Sequence, residues 1–289
     1  MEFITAEIPL NCRIFDTGDW HVGPHGFDER ALDKMIAEVA SDKNARMVMK
    51  GDLIDAITTD DKRFCNLSHD VKDSWRSIDD HVDYLIDKLE PIKKQIICSL
   101  MGNHELTVLR TTDVARRMCK ALNIAYGGYT SIVTFKNKSR KKHLFKWLIT
   151  HGRRGLSSQA KDPIQSYANM QAALKKHMER LRIYDCVYQS MGHAHQLMVV
   201  EPTINREIIL TSRPSGGLRQ SYKTSVKQNA ENISPESRWY GCSGSFLKTF
   251  SEPGRLTYAE LAQYGPVEIG CLEVVVKNGE IWEVNKRLF

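Results

Sequence analysis

Apolar and polar positions alternate in blocks along the 289-residue chain. Short apolar runs end in Gly, Asp or Asn, and each is followed by a stretch whose apolar residues recur every three or four positions. The runs predict strands and the stretches predict helices. "CRIFDTG" (12–18), "ARMVMKG" (45–51) and "QIICSLMG" (95–102) read as strands. "DERALDKMIAEVA" (28–40) reads as a helix with Asp28 as its N-cap. "VKDSWRSIDDHVDYLIDKLEPI" (71–92) is a second helix, stopped near Pro91, and "TDVARRMCKAL" (112–122) is a third. This β-α-β-α-β-α order predicts an α/β core with helices on the outside of a sheet. "MEFITAEIPL" reads as a short lead-in to the first strand.

The second half is richer in strands. "GGYTSIVTFKNKSRKKHLFKWLITHG" (127–152) predicts two strands joined by a basic tip, Lys136 to Lys142. A helix begins near Pro163, and "YDCVYQSMGHAH" (184–195), "LMVVEP" and "REIILTS" continue as strands. Residues 213–238 are polar, contain Gly216-Gly217, and read as a long loop or insertion. "RWYGCSGSF" is a strand, and the chain ends in a hairpin turning at Asn278-Gly279. No internal repeat or linker divides the sequence, so one domain over residues 1–289 is expected, its second half packing another sheet on the first.

Composition changes this picture little. Apolar residues are 42% and charged residues 26%, as in an ordinary globular protein. No apolar run is long enough to span a bilayer, and no basic-then-apolar signal opens the chain, so no membrane partner is expected. The formal charge of +6 suits an anionic substrate or nucleic acid without requiring one. Seven Cys are scattered with no C-x-x-C pair, which reads as reduced, mostly buried thiols and a cytoplasmic setting.

The chemistry collects at five strand ends: "GDWHVG" (Asp19, His21), "KGDLIDA" (Asp52, Asp55), "MGNHE" (Asn103, His104), "ITHG" (His151) and "SMGHAH" (His193, His195). Sites in α/β sheets form beyond the carboxyl ends of strands, so all five can meet at one rim. Residues i and i+2 of an extended segment point the same way, which lets Asp19 and His21 reach one ion. Asp52 has two oxygens and could bridge two ions. Carboxylate, amide and imidazole donors suit Mn, Fe, Zn or Ni, and the lack of Cys in these segments argues against a structural zinc.

The ordered set D-x-H, G-D-x-x-D, G-N-H-E, H-G and G-H-x-H resembles the calcineurin-like metallophosphoesterases. By motif the resemblance runs from Cys12 to His195, and "GCSGSF" is similar to the strand that follows. It implies a two-sheet α/β/β/α sandwich and a metal-dependent phosphoesterase with two divalent ions, Mn foremost. One ion would be held by Asp19, His21, Asp52 and His195, the other by Asp52, Asn103, His151 and His193. His104 matches the family's non-ligand histidine, which assists the leaving group after attack by a metal-bridging hydroxide. Asp55 matches the carboxylate that orients that histidine. A phosphodiester, from nucleic acid or a nucleotide, is the expected substrate. The alternatives are a phosphomonoesterase of small substrates or proteins, and a non-catalytic metal-binding scaffold. "GDLIDA" and "LMGNHE" lack the arginines that Ser/Thr protein phosphatases carry there. The short chain and its tail look similar to phage or prophage members, which would place the protein in a host cytoplasm. The sequence leaves oligomeric state open.

Other residues keep two readings. Arg153 and Arg154, next to His151, could clamp a substrate phosphate or belong to a solvated loop. Glu105 reads as a local hydrogen-bond partner. Tyr167, Trp239 and Tyr240 could stack bases or fill a core. His25, His69, His81, His143 and His177 are expected to be exposed.

Overall fold

The computed structural model describes residues 1–58, 77–137, 139, 142–203, 207–223, 225–251 and 253–289. Cys65, His69, the expected helical start at 71–76 and part of the basic tip lie outside them. In chain order the elements are β1 (Glu2–Ile8), β2 (Cys12–Thr17), α1 (Glu29–Ser41), β3 (Arg46–Met49), α2 (Ile78–Leu89), β4 (Ile96–Ser99) and α3 (Asn103–Thr107). Then come α4 (Val114–Leu122), β5 (Ala125–Tyr126), β6 (Thr130–Asn137), β7 (His143–Thr150), α5 (Pro163–Glu179), β8 (Tyr188–Met191) and β9 (Leu197–Val200). Last are β10 (Ile208–Ser212), β11 (Leu218–Tyr222), β12 (Trp239–Ser243), α6 (Tyr258–Leu261), β13 (Gly270–Lys277) and β14 (Glu280–Leu288).

Two six-stranded sheets face each other. One has the order β14-β13-β2-β3-β4-β5, the other β1-β6-β7-β8-β12-β9. Strand alternation explains the layers. In β2 and β3, Ile14 and Val48 point between the sheets, where they meet Phe135, Trp147, Val187 and Val274. Phe15, Met47 and Met49 point the other way, onto Leu32, Met35 and Val39 of α1 and Val82 and Leu85 of α2. On the far side, Leu174 and Met178 of α5 cover Ile132, Leu148 and Tyr240. The result is the expected α/β/β/α sandwich.

The local signals act as anticipated at several ends. Asp28 caps α1 by accepting from the Ala31 N–H, and Pro163 opens α5. The final hairpin turns at Asn278 and Gly279, both with positive φ. Three expectations are corrected. The opening residues are a full strand, β1, parallel to β6. Residues Leu218–Tyr222 of the polar segment form β11, an antiparallel ribbon with β10. His81 is buried, 8% exposed, because it lies on the core face of α2. No helix among the described residues is long and apolar enough to cross a membrane. The six described cysteines are free and buried.

One polar group sits where alternation demands an apolar one. Lys50 and Asp16 point between the sheets, both fully buried, 2.8 Å apart. From the other sheet the Tyr188 hydroxyl donates to Asp16 at 2.8 Å, and the Met191 carbonyl accepts from Lys50 Nζ at 3.0 Å. A buried pair of this kind adds little net stability, but removing one partner strands the other charge. Lys50→Met should therefore destabilise the protein by about 3–5 kcal/mol. Adding Asp16→Asn, which keeps an acceptor for Tyr188, should recover much of that loss. Urea unfolding of both single variants and the double variant measures the coupling; additive losses would contradict it.

Candidate metal centre and active site

All five motif segments leave their strands at the same rim of the sandwich. Asp19 and His21 follow β2, Asp52 follows β3, Asn103 and His104 open α3 after β4, His151 follows β7, and His193 and His195 follow β8. The turns are unusual. Asp19, His21, Asp52, His193 and His195 all have positive φ, between 48° and 66°. Left-handed backbone is uncommon for residues with a Cβ and collects at functional sites. Backbone bonds lace the tips together: Asp19 N–H to Gly51 O, His21 N–H to Asp52 O, and Gly192 N–H to His151 O.

Close approach explains two glycines. A Cβ on Gly51 would lie 2.3 Å from the Gly102 nitrogen, and one on Gly102 would lie 2.1 Å from Asp52 Oδ1. Beneath them Glu105 is buried. Its carboxylate accepts from the N–H groups of Asp52, Leu53, Ile54 and Gly102 at 2.7–3.3 Å. It therefore clamps the Asp52 turn to the Gly102 turn. That makes it more than the local partner expected, since three of its donors lie about fifty residues away. Burial raises its pKa, and the Asp52 charge adds to the effect.

The side chains form three groups in which donor atoms lie within 4.8 Å of one another: Asp19, His21, His195; His21, Asp52, His104; and Asp52, His151, His193. His21 Nε2 and His195 Nε2 are 3.0 Å apart, and His195 Nε2 is 3.6 Å from Asp19 Oδ1. His151 Nε2 is 3.3 Å from Asp52 Oδ2. The Asn103 Oδ1 lies 2.9 Å from His151 Nε2 and 2.6 Å from His193 Nδ1. Ligands about 2.0–2.1 Å from a divalent ion are spaced roughly 3.0–3.4 Å apart, so the donor set fits. Asp52 belongs to two of the groups; its Oδ2 faces the His151 and His104 rings, and its Oδ1 accepts from the His104 N–H at 2.8 Å. All seven sequence-derived ligand candidates thus converge.

Charge fits at three of the four candidate imidazoles. Burial drives His21 and His193 below the ordinary histidine value, assisted by neighbouring imidazoles, and His195 well below it. Neutral rings are the ligand form. Burial opposes a charge on His151, but Asp52, Asp19 and Glu105 carry it up to about 9. Burial also raises Asp19 to about 7, with His151 opposing and Asp52 adding. For Asp52 burial is outweighed by His151, His104 and His21, which hold it well below the carboxylate range.

His104 and Asp55 lie together at the edge of the centre. His104 Nδ1 contacts the Asp55 backbone carbonyl and lies 3.2 Å from its Oδ1. The same oxygen lies 3.3 Å from His21 Nδ1. With Nδ1 held this way, His104 Nε2 is turned toward the centre, 3.9 Å from Asp52 Oδ2. Asp52, Asn103, His104, His193 and His195 line a cleft of about 540 Å³, walled by Leu156, Leu247, Tyr264, Pro266 and Val267. Arg153 and Arg154 are exposed and line a different cavity. Tyr240 is 1% exposed, which leaves it a core residue.

No family model matches the sequence, and no curated protein does. Among solved structures, a metallophosphoesterase from Sphaerobacter thermophilus aligns at 9% identity and a TM-score of 0.41, over 96% of this chain and 89% of that one. A dimetal phosphatase from Danio rerio aligns at 8% and 0.39, over 97% and 96%. The NAD nucleotidase of Haemophilus influenzae aligns at 12% and 0.38, over 96% of this chain and 50% of that one, so the chain spans half the nucleotidase's length. Similarity this low leaves the site to be read from its own residues.

Glu105→Gln replaces an acceptor with a donor against backbone N–H groups. It should cost about 1–3 kcal/mol in urea unfolding for each N–H left unpaired. Displacing Asp52 should also lower bound metal in elemental analysis; full metal content would show that Glu105 does not set the Asp52 turn.

Proposed function

We propose that the protein is a calcineurin-like, dinuclear metal-dependent phosphoesterase, with a phosphodiester as substrate. The observation that supports it most is the convergence of seven ligand candidates and His104 on one rim from five separate segments. Asp19, His21, Asp52 and His195 would hold one divalent ion; Asp52, Asn103, His151 and His193 would hold the second. The resemblance makes Mn the first candidate, and the mixed oxygen and nitrogen donors also admit Fe, Zn or Ni. Bound there, such ions supply Lewis acidity toward a phosphoryl oxygen and activate water.

The chain's own residues do the rest. Asp52 Oδ2 orients toward the His151 and His104 rings, while the His104 N–H fixes Oδ1. The Asp55 carbonyl accepts from His104 Nδ1–H, so a proton on Nε2 makes the ring an imidazolium. The Asp55 and Asp52 carboxylates stabilise that charge. From Nε2, which faces the cleft, the proton can pass to a departing alkoxide. Leu156, Leu247 and Pro266 give the cleft wall an apolar face beside the leaving group.

Turnover of bis-p-nitrophenyl phosphate over p-nitrophenyl phosphate, with Mn²⁺ and lost on chelation, is the expected result; no turnover of either with any divalent metal contradicts the reading. His104→Ala should lower kcat by about 10²–10⁴-fold with metal content unchanged. An unchanged rate would remove His104 from the mechanism. Saturating metal should raise Tm and chelation should lower it, because an ion that binds only the folded chain stabilises it by about 4 kcal/mol at a thousand times its Kd.

A further inference from the structure

A second cavity lies beside the centre. It has about 310 Å³ and is lined by Arg153, Arg154, Arg180 and His177 over an apolar floor of Met178, Leu181 and Met191. That volume is at the lower end of small-molecule sites, roughly 300–1,000 Å³. Among the described residues no carboxylate lines it. His177 Nδ1 is buried with no hydrogen-bond partner among the described residues. Burial lowers the pKa of His177, and Arg180, Arg154 and Lys176 add to the effect. Three arginines border this void, an arrangement suited to an anion.

The two cavities share a wall. Gly152, Arg153 and Arg154 border the basic cavity, and the next residues, Gly155, Leu156 and Ser157, border the cleft over the centre. Met191, on the floor, is two residues from His193. A ligand with one phosphate at the centre can therefore cross residues 151–157 and place another among the arginines. The apolar floor adds a condition: a bare polyphosphate chain has nothing to set against Met178 and Leu181, whereas a base or sugar does.

We propose that this cavity is a subsite for a second nucleotide of a single-stranded polynucleotide, with Arg153, Arg154 and Arg180 on its phosphate. The inference rests on the phosphoesterase reading above. The test uses the full-length, metal-replete protein and a fluorescein-labelled, phosphorothioate-linked dT8, read by fluorescence anisotropy. Arg154→Ala/Arg180→Ala, both exposed positions, should weaken binding at least tenfold and flatten the dependence of log Kd on log salt by roughly 0.7 per lost phosphate contact. Arg154→Ala/Arg180→Lys should bind more tightly than Arg154→Ala/Arg180→Ala, because the lysine keeps a charge at position 180. In turnover of unmodified dT8 the double variant should raise KM with kcat retained. Wild-type affinity and salt slope in the double variant overturn the subsite, as does a wild-type protein that does not bind dT8. If dT8 binds through these arginines but no ester is hydrolysed, the subsite stands and the phosphoesterase reading falls.

Discussion

Everything at the rim depends on a backbone conformation that the chain disfavours. Ten described residues other than glycine have positive φ, and five of them are Asp19, His21, Asp52, His193 and His195. Each left-handed residue costs about 1–2 kcal/mol, so together they approach the net stability of a whole domain, about 5–15 kcal/mol. The reward is geometric: left-handed residues at the strand tips, in place of the extended segment expected for Asp19 and His21, turn side chains from several segments onto one point. What holds the turns is the bonding beneath them. Glu105 ties two tips through four backbone N–H groups, and the Ser245 hydroxyl and Phe246 N–H both donate to the Asp19 carbonyl.

A second constraint acts across the layers. Asp19, His21, Asp52 and Asn103 come from one sheet; His151, His193 and His195 come from the other. The centre is thus built across the seam of the sandwich, and its donor spacing depends on the distance between the sheets. Apolar packing alone fixes that distance loosely, because aliphatic side chains repack with little loss. The Lys50–Asp16–Tyr188 network is directional. Lys50 Nζ also reaches the Met191 carbonyl, two residues before His193, and the Lys50 carbonyl contacts His151 Nδ1 at 2.8 Å. One residue therefore touches the supports of both sheets and selects the ring orientation of a candidate ligand.

Much of this was legible in the sequence. Strand ends carrying Asp, His and Asn in five places located the rim, and period-two alternation separated core from site. The turns themselves were invisible, since positive φ is signalled by glycine and these positions hold Asp and His. Lys50 carried no signal either: in "MKGD" a lysine reads as solvated, and only the facing sheet supplies Asp16 and Tyr188 as its reasons to be buried. β1 was hidden by its place at a sheet edge, where Glu2, Phe3, Thr5 and Glu7 are partly or wholly exposed. Burial of His81 depends on Gly23, whose missing side chain leaves room for the ring.

The arginines after His151 show why adjacency in sequence misleads at such a rim. Arg153 and Arg154 are one and two residues beyond Gly152, yet His151 is buried against Asp52 and Asn103 while the arginines are exposed and line a separate cavity. The cleft over the centre consequently has walls of Leu156, Leu247, Tyr264, Pro266 and Val267 and, among the described residues, no cationic side chain besides the imidazoles. The two cavities thus differ in kind: apolar walls beside the imidazoles on one side of residues 151–157, and arginines over Met178, Leu181 and Met191 on the other.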